Sequence, residues 1–440
     1  MTFHIDANTP LGPMKPLHGV GGGPVTSNFN ADTTEYFRMA GIPFSRTHDI
    51  EYPYGSGEFV DIHCIFPNFD ADAEDPKSYN FTLTDAYLKA VAEAGTEVFY
   101  RLGSTIEHQP IKRYIFPPKD NLKWAQICEH IIRHYNEGWA DGLRLNIRFW
   151  EIWNEPDLKD RCWTGTHEEF FALYTTAATH LKSCFPELSI GGCAITSPFS
   201  SMTEPFLKYV REHNAPLDFF SWHGYLHLPA QAAESSQRAR ELLDKYGFTD
   251  TLSVYDEWNY VYQWDDTIQK SVDIHPTGKV AALCASVLCT LQRSRTDMAM
   301  YYDTQLCMPT WNGFFSVGPM HIHGEPRPIV AHPPFYSFVA YNALYQKGTE
   351  VSLGQDIPDV YAIAAADEKE VCVLLAAYWD EEPFVDHPFT RTFPVTLSGA
   401  KRETMEAFLV DEHSALTPVP MSPDAVTLRN DSVLLLRFCR

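Results

Sequence analysis

A chain of 440 residues can bury a large core and exceeds one typical domain, so a main domain with a smaller companion is expected. Its 34 basic and 57 acidic residues leave a net charge of -23, which argues against nucleic acid and anionic membrane surfaces as partners and favours a neutral small molecule. The ten cysteines show neither a paired framework nor a CxxC spacing, so they read as reduced, mostly buried thiols. The opening MTFHIDANTP lacks a basic stretch followed by an apolar one, and no segment is long and apolar enough to span a bilayer; a cytoplasmic protein is expected.

From residue 12 to 348 short apolar runs alternate with stretches of helical periodicity, the pattern of repeated βα units. PLHGV (16–20) precedes a helix around 31–40, IPFSRT (42–47) one from about 82, and TEVFYRL (96–102) one near 121. NIRFWEIW (146–153) feeds the helix HEEFFALYTTAATHLKSC. ELSIGG (187–192), LDFFSWHGY (217–225), TLSVYDEW (251–258) and MAMYYDT (298–304) complete eight units, which predict an α/β fold closed as a (β/α)8 TIM barrel. The Gly21, Gly22, Gly23 run lacks a phosphate-loop pattern and reads as a tight turn after the first strand. The segment 49–80 is an unusually long connection, of the kind that shapes a binding site. Beyond residue 349 short strands separated by turns predict an accessory C-terminal β-sandwich over 349–440, joined by residues 1–11.

In such a barrel, functional side chains stand at the C-terminal ends of strands. The fourth run ends in Trp153, Asn154, Glu155, Pro156 and the seventh in Tyr255, Asp256, Glu257, Trp258. Two carboxyl groups facing each other across a barrel mouth suit glycoside hydrolysis, in which one acid protonates the leaving oxygen while a second carboxylate attacks or activates water. Glu155 capping a helix and Glu257 pairing with a surface cation is the bland alternative. Trp258 and Trp311 are candidate platforms beneath a sugar ring, with the core as their alternative. His321 and His323 form HxH without a convincing third ligand, so neither a metal nor a cofactor is expected.

FWEIWNEPD and VYDEWNY resemble the acid/base and nucleophile segments of glycoside hydrolase family 39, which holds β-xylosidases and α-L-iduronidases. HGVGGGP, PFSRTHD, DFFSWHGY and the terminal β-rich region fall in the family's order, so the resemblance covers most of the chain. It implies a retaining exo-glycosidase with Glu155 as acid/base and Glu257 as nucleophile, and with Asn154 at the sugar's 2-hydroxyl. His223 and Tyr225 would then lie beside the nucleophile, where Arg46 keeps it ionised, with His48 nearby. The resemblance departs at Asp256, where the family more often shows Thr before the glutamate. A β-xylosidase acting on short oligosaccharides is the leading expectation; arabinosyl, galactosyl, glucosyl or iduronyl glycosides, or a catalytically silent carbohydrate-binding protein, are the alternatives. Relatives often associate, so a homo-oligomer is within the expectation.

Overall fold

The computed structural model describes residues 3–28, 31–50, 57–307, 311–318 and 327–440. Eight parallel strands close into a barrel in chain order: Gly19–Gly21, Phe44–Arg46, Glu97–Leu102, Phe149–Ile152, Ser189–Ile195, Phe219–His223, Leu252–Trp258 and Met298–Tyr301. The eighth pairs back onto the first, Tyr301 beside Val20. Each overlaps one of the eight apolar runs, and the helices Thr34–Ala40, Thr82–Glu93, Asn121–Asn136 and His167–Cys184 stand where periodicity places them. The last begins sharply because Thr166 and Glu169 form a reciprocal capping box, satisfying two backbone N–H groups that would otherwise lack partners.

The two-residue alternation of strands stacks the barrel interior in layers. Phe44, Phe99, Phe149, Phe219, Val254, Met298 and Met300 fill the lower interior as an apolar plug. Moving two residues along the same strands exchanges that plug for polar groups: Arg46, Arg101, Glu151, Ser221 and Asp256, all almost fully enclosed. The intervening residues, among them Tyr100, Trp150, Ile152 and Phe220, face outward into the core shared with the helices. A charged layer supported by a rigid apolar one is thus written into five strands by periodicity alone.

The remaining strands build one eight-stranded sheet, in the order Val395–Ser398, Phe3–Pro13, Thr349–Gln355, Val360–Ala366, Glu370–Ala377, Ser432–Cys439, Glu406–Asp411 and Ser414–Pro418. Its face carrying Phe3, Ile5, Ala364, Val373 and Leu436 is covered by a two-stranded ribbon, Thr390–Phe393 with Val426–Arg429, which supplies Phe393, Val426 and Leu428. The opposite face, with Ile363, Cys372 and Leu374, joins the barrel core through the helices Gly278–Gln292 and Pro333–Tyr345. Strands covered on both sides can be apolar throughout, which explains VYAIAAA and EVCVLLAA. The expected sandwich therefore has one large layer and one ribbon. Asp380, fully buried, accepts the Tyr260 hydroxyl at 2.9 Å and lies 2.5 Å from Lys279 Nζ, pinning the sheet region to the barrel.

No single helix among the described residues is long and apolar enough to cross a membrane. All ten cysteines are free, six of them buried.

Candidate active site

Glu155 stands three residues past the fourth strand, in a chain that turns sharply there: Trp153 and Glu155 both adopt left-handed backbone, φ 74° and 43°. Such conformations cost free energy in non-glycine residues and persist only where the surroundings impose them. Here Trp153 N–H donates to Leu102 O at 2.7 Å, its indole N–H to Cys162 O at 2.8 Å, and Glu155 N–H to Ala194 O at 2.9 Å. Gly103 permits this packing, since a Cβ there would come within 3.1 Å of the Trp153 Cα.

On the seventh strand a register irregularity after Tyr255 breaks the alternation. Asp256 follows Val254 inward as expected, and the irregularity turns Glu257 inward as well, opposite His223. Two consecutive acidic side chains thereby reach one interior. The same shift sends Trp258 outward: it is fully buried, edge-on to Tyr301 at 5.1 Å and stacked near Phe338 of an outer helix. Trp258 is therefore a core residue, which corrects the platform expectation.

Arg46 organises the interior. Its Nε donates to Glu151 Oε2 at 2.7 Å and lies 3.0 Å from Asp256 Oδ2; Nη1 donates to Glu257 Oε2 at 3.1 Å and Nη2 to Asn154 Oδ1 at 2.7 Å. Tyr225 donates its hydroxyl to the other oxygen of Glu257. His223 Nδ1 is 2.8 Å from Glu155 Oε1 and 3.6 Å from Glu257 Oε2, bridging the two glutamates, and one oxygen of each glutamate lies within 4.8 Å of the other. Asn154 is fully buried, its amide nitrogen 3.8 Å from Cys162 Sγ. His48, nearly enclosed, is 3.4 Å from Asp49 through Nε2. Trp311 sits at the mouth, its ring edge-on to Tyr225 at 5.7 Å. His321 and His323 lie outside the described residues.

Burial dominates the protonation of these groups. It pushes Glu155 up to about 8, with Asp157 adding to the rise and Arg46 opposing it. Burial also raises Glu257, helped by Glu155, but Arg46 and the Tyr225 hydroxyl act to keep it ionised. Burial lowers His223 to about 4 and His48 well below its usual value, so both imidazoles are neutral near pH 7. Glu151 and Asp256 split. Burial penalises both charges, yet Arg46 and hydrogen bonds from Asp256 and Ser221 leave Glu151 below the ordinary carboxylate range, while the Glu151 charge drives Asp256 well above it. The two carboxyl groups titrate as a pair, with the proton favoured on the side of Asp256.

Sequence reasoning passed over Glu151, which it treated as strand interior, although its place two residues beyond Phe149 signals an inward carboxylate. Three clusters bring His, carboxylate or Cys atoms within 4.8 Å among the described residues: Glu58 with His63 and Cys64, Glu129 with His180 and Cys184, and Glu155 with His223 and Glu257. In the second, Arg133 and His180 each already hold an oxygen of Glu129, at 2.8 and 2.7 Å.

The family model described as glycosyl hydrolases family 39 matches residues 1–284. A β-xylosidase of Caldicellulosiruptor saccharolyticus is 24% identical over 372 residues, covering 77% of this chain and 71% of that protein. A β-xylosidase of Geobacillus stearothermophilus is 31% identical over 338 residues, 67% of this chain and 62% of that protein. The crystal structure of a glucosidase from Croceicoccus marinus superposes with a TM-score of 0.78 at 21% identity, covering 100% of this chain and 98% of that one.

Proposed function

Because this chain belongs to glycosyl hydrolases family 39 and is a glycoside hydrolase, we propose that it is a retaining exo-glycosidase, a β-xylosidase, with Glu155 as acid/base and Glu257 as nucleophile. The observation that carries the proposal is the approach of the two glutamates, oxygens within 4.8 Å and His223 between them. Retaining pairs have carboxyl groups about 5–5.5 Å apart, whereas inverting pairs need about 6.5–9.5 Å to admit a water.

Glu257 attacks the anomeric carbon as the bond to the leaving oxygen breaks, and the proton of Glu155 passes to that oxygen. A glycosyl ester of Glu257 results. Its formation removes the nucleophile's charge, so Glu155, now a carboxylate, is no longer repelled and takes a proton from water. The water oxygen attacks the anomeric carbon, the ester bond breaks, and both carboxyl groups return to their starting states. Arg46 and Tyr225 hold the two oxygens of Glu257, orienting it and favouring its ionised form. Neutral His223 can accept from protonated Glu155 or, in its other tautomer, donate to it after proton transfer, so the contact serves both half-reactions.

A neutral glycone fits the charge distribution. Arg46 is shared among Glu151, Asp256 and Glu257, and Arg101 Nη2 donates to Asp61 Oδ1 at 2.6 Å, so both cations are balanced before a substrate carboxylate arrives. The test is hydrolysis of aryl glycosides: β-xyloside, α-arabinofuranoside, α-arabinopyranoside, β-galactoside, β-glucoside and α-iduronide. Selective turnover of β-xyloside with formation of β-xylose as first product supports the reading. Selective turnover of another member replaces the sugar, first-formed product of inverted configuration removes the retaining mechanism, and silence across the panel favours a carbohydrate-binding protein.

A further inference from the structure

Of the ten tryptophans, only Trp264 is largely exposed, at 66%. It lies between the seventh barrel strand and the helix Ile268–Ile274. A single exposed apolar side chain is ordinary on a protein surface; one whose orientation is fixed by the catalytic wall is not. The Trp264 indole meets Tyr225 edge-on at 4.9 Å, and Tyr225 is the residue whose hydroxyl holds Glu257. It also lies parallel to Trp311, planes within 7° and centroids 6.3 Å apart. The turn beneath it is locked, since Asp265 accepts from the backbone N–H of Thr267 at 2.7 Å and from its hydroxyl at 2.6 Å.

We infer that Trp264 is the platform of the leaving-group subsite, stacking on the sugar ring or aryl group attached to the scissile oxygen. The inference rests on the assignment of Glu155 and Glu257 as the catalytic pair. Residues Glu155 and Glu257 are only 9% and 5% exposed, so the sugar being transferred is enclosed, and whatever follows the scissile oxygen must extend toward solvent. Trp264 is an exposed aromatic surface in direct contact with the residue that holds Glu257. Pyranose rings present apolar C–H faces, and an indole face is the largest flat apolar surface a side chain offers. The ligand class is a second pyranose unit or an aromatic aglycone.

The experiment compares wild type with Trp264→Ala and Trp264→Phe on three substrates sharing the glycone that wild type prefers: the disaccharide, the aryl glycoside and the glycosyl fluoride. Fluoride is too small to reach the platform, so it reports the glycone and the two glutamates alone. For Trp264→Ala, kcat/KM is expected to fall about ten- to fiftyfold on the first two and to change less than about twofold on the fluoride. Trp264→Phe should recover part of the loss. An equal fall on all three substrates, or no fall on the disaccharide and aryl glycoside, overturns the inference while leaving the glycosidase reading intact. Wild-type protein that hydrolyses no aryl glycoside of the panel, and so has no preferred glycone, overturns the catalytic assignment and this subsite together.

Discussion

Replacing Asp256 with asparagine tests the charge state of the barrel interior directly. Where Asp256 and Glu151 share one proton favoured on Asp256, an amide of the same shape can donate to Glu151 in its place. Arg46 then still faces two charges, on Glu151 and Glu257, and kcat/KM is expected to stay within about threefold of wild type, roughly 0.7 kcal/mol. Were Asp256 ionised, the same change would delete one partner of a fully buried guanidinium 3.0 Å away, a loss that typically costs about 3–5 kcal/mol and therefore more than a hundredfold in stability or activity. Asp256→Ala separates the cases further, since it removes the donor, leaves Glu151 short of a hydrogen bond and opens a small cavity; it should cost about 2–4 kcal/mol of stability. The assay is steady-state kinetics across pH with urea unfolding of each variant. An asparagine variant as damaged as the alanine variant would refute the shared-proton account.

Further expectations concern the residues around this pair. Glu155, raised to about 8 from 4.5, binds its proton more tightly folded than unfolded, so its ionisation destabilises the fold as pH rises from 4.5 toward 8. Glu155→Gln should accordingly be more stable than wild type by on the order of 3 kcal/mol at pH 7 and show little difference at pH 4.5; thermal melts at the two pH values check this, and equal differences at both would contradict it. The alkaline limb of wild-type kcat/KM on a substrate with a poor leaving group should fall near 8, and Glu155→Gln, followed on an activated aryl glycoside that needs no proton donor, should lack it. Tyr225→Phe withdraws a hydrogen bond to a charged oxygen of Glu257, about 1.5–3 kcal/mol, and should lower kcat/KM about ten- to hundredfold while moving the acidic limb upward; an unmoved limb would count against the contact. Trp258→Ala should lower stability by about 3–5 kcal/mol with no change in the ranking of substrates, because that indole packs in the outer core.

The barrel was legible in the amino-acid order because each strand is an apolar run ending in polar residues, and the two glutamates were legible because they occupy those ends. Glu151 escaped notice for the opposite reason: it sits inside a run, where only strict two-residue counting from Phe149 marks it as inward. The core alternative holds for Trp258, and the same counting does not reveal it. Starting from Val254 and Asp256 it belongs inside, but the irregularity after Tyr255 inserts Glu257 and reverses the side on which Trp258 falls. A bulge is set by how one strand meets its neighbours, and nothing local in VYDEWNY announces it. Trp264 likewise reads as a loop residue until its contacts with Tyr225 and Trp311 are seen.

The strand Phe3–Pro13 hydrogen-bonds to Thr349–Gln355 on one side and to Val395–Ser398 on the other. As the ribosome delivers the chain, that strand emerges well before both neighbours and must wait for more than three hundred residues before either exists. Its apolar side chains Phe3 and Ile5 and both rows of backbone groups stay unsatisfied during that interval, while the eight βα units can assemble among themselves. Closure of the large sheet is then the late, high-contact-order step of biosynthesis, and chains interrupted before residue 349 are the species most prone to aggregate.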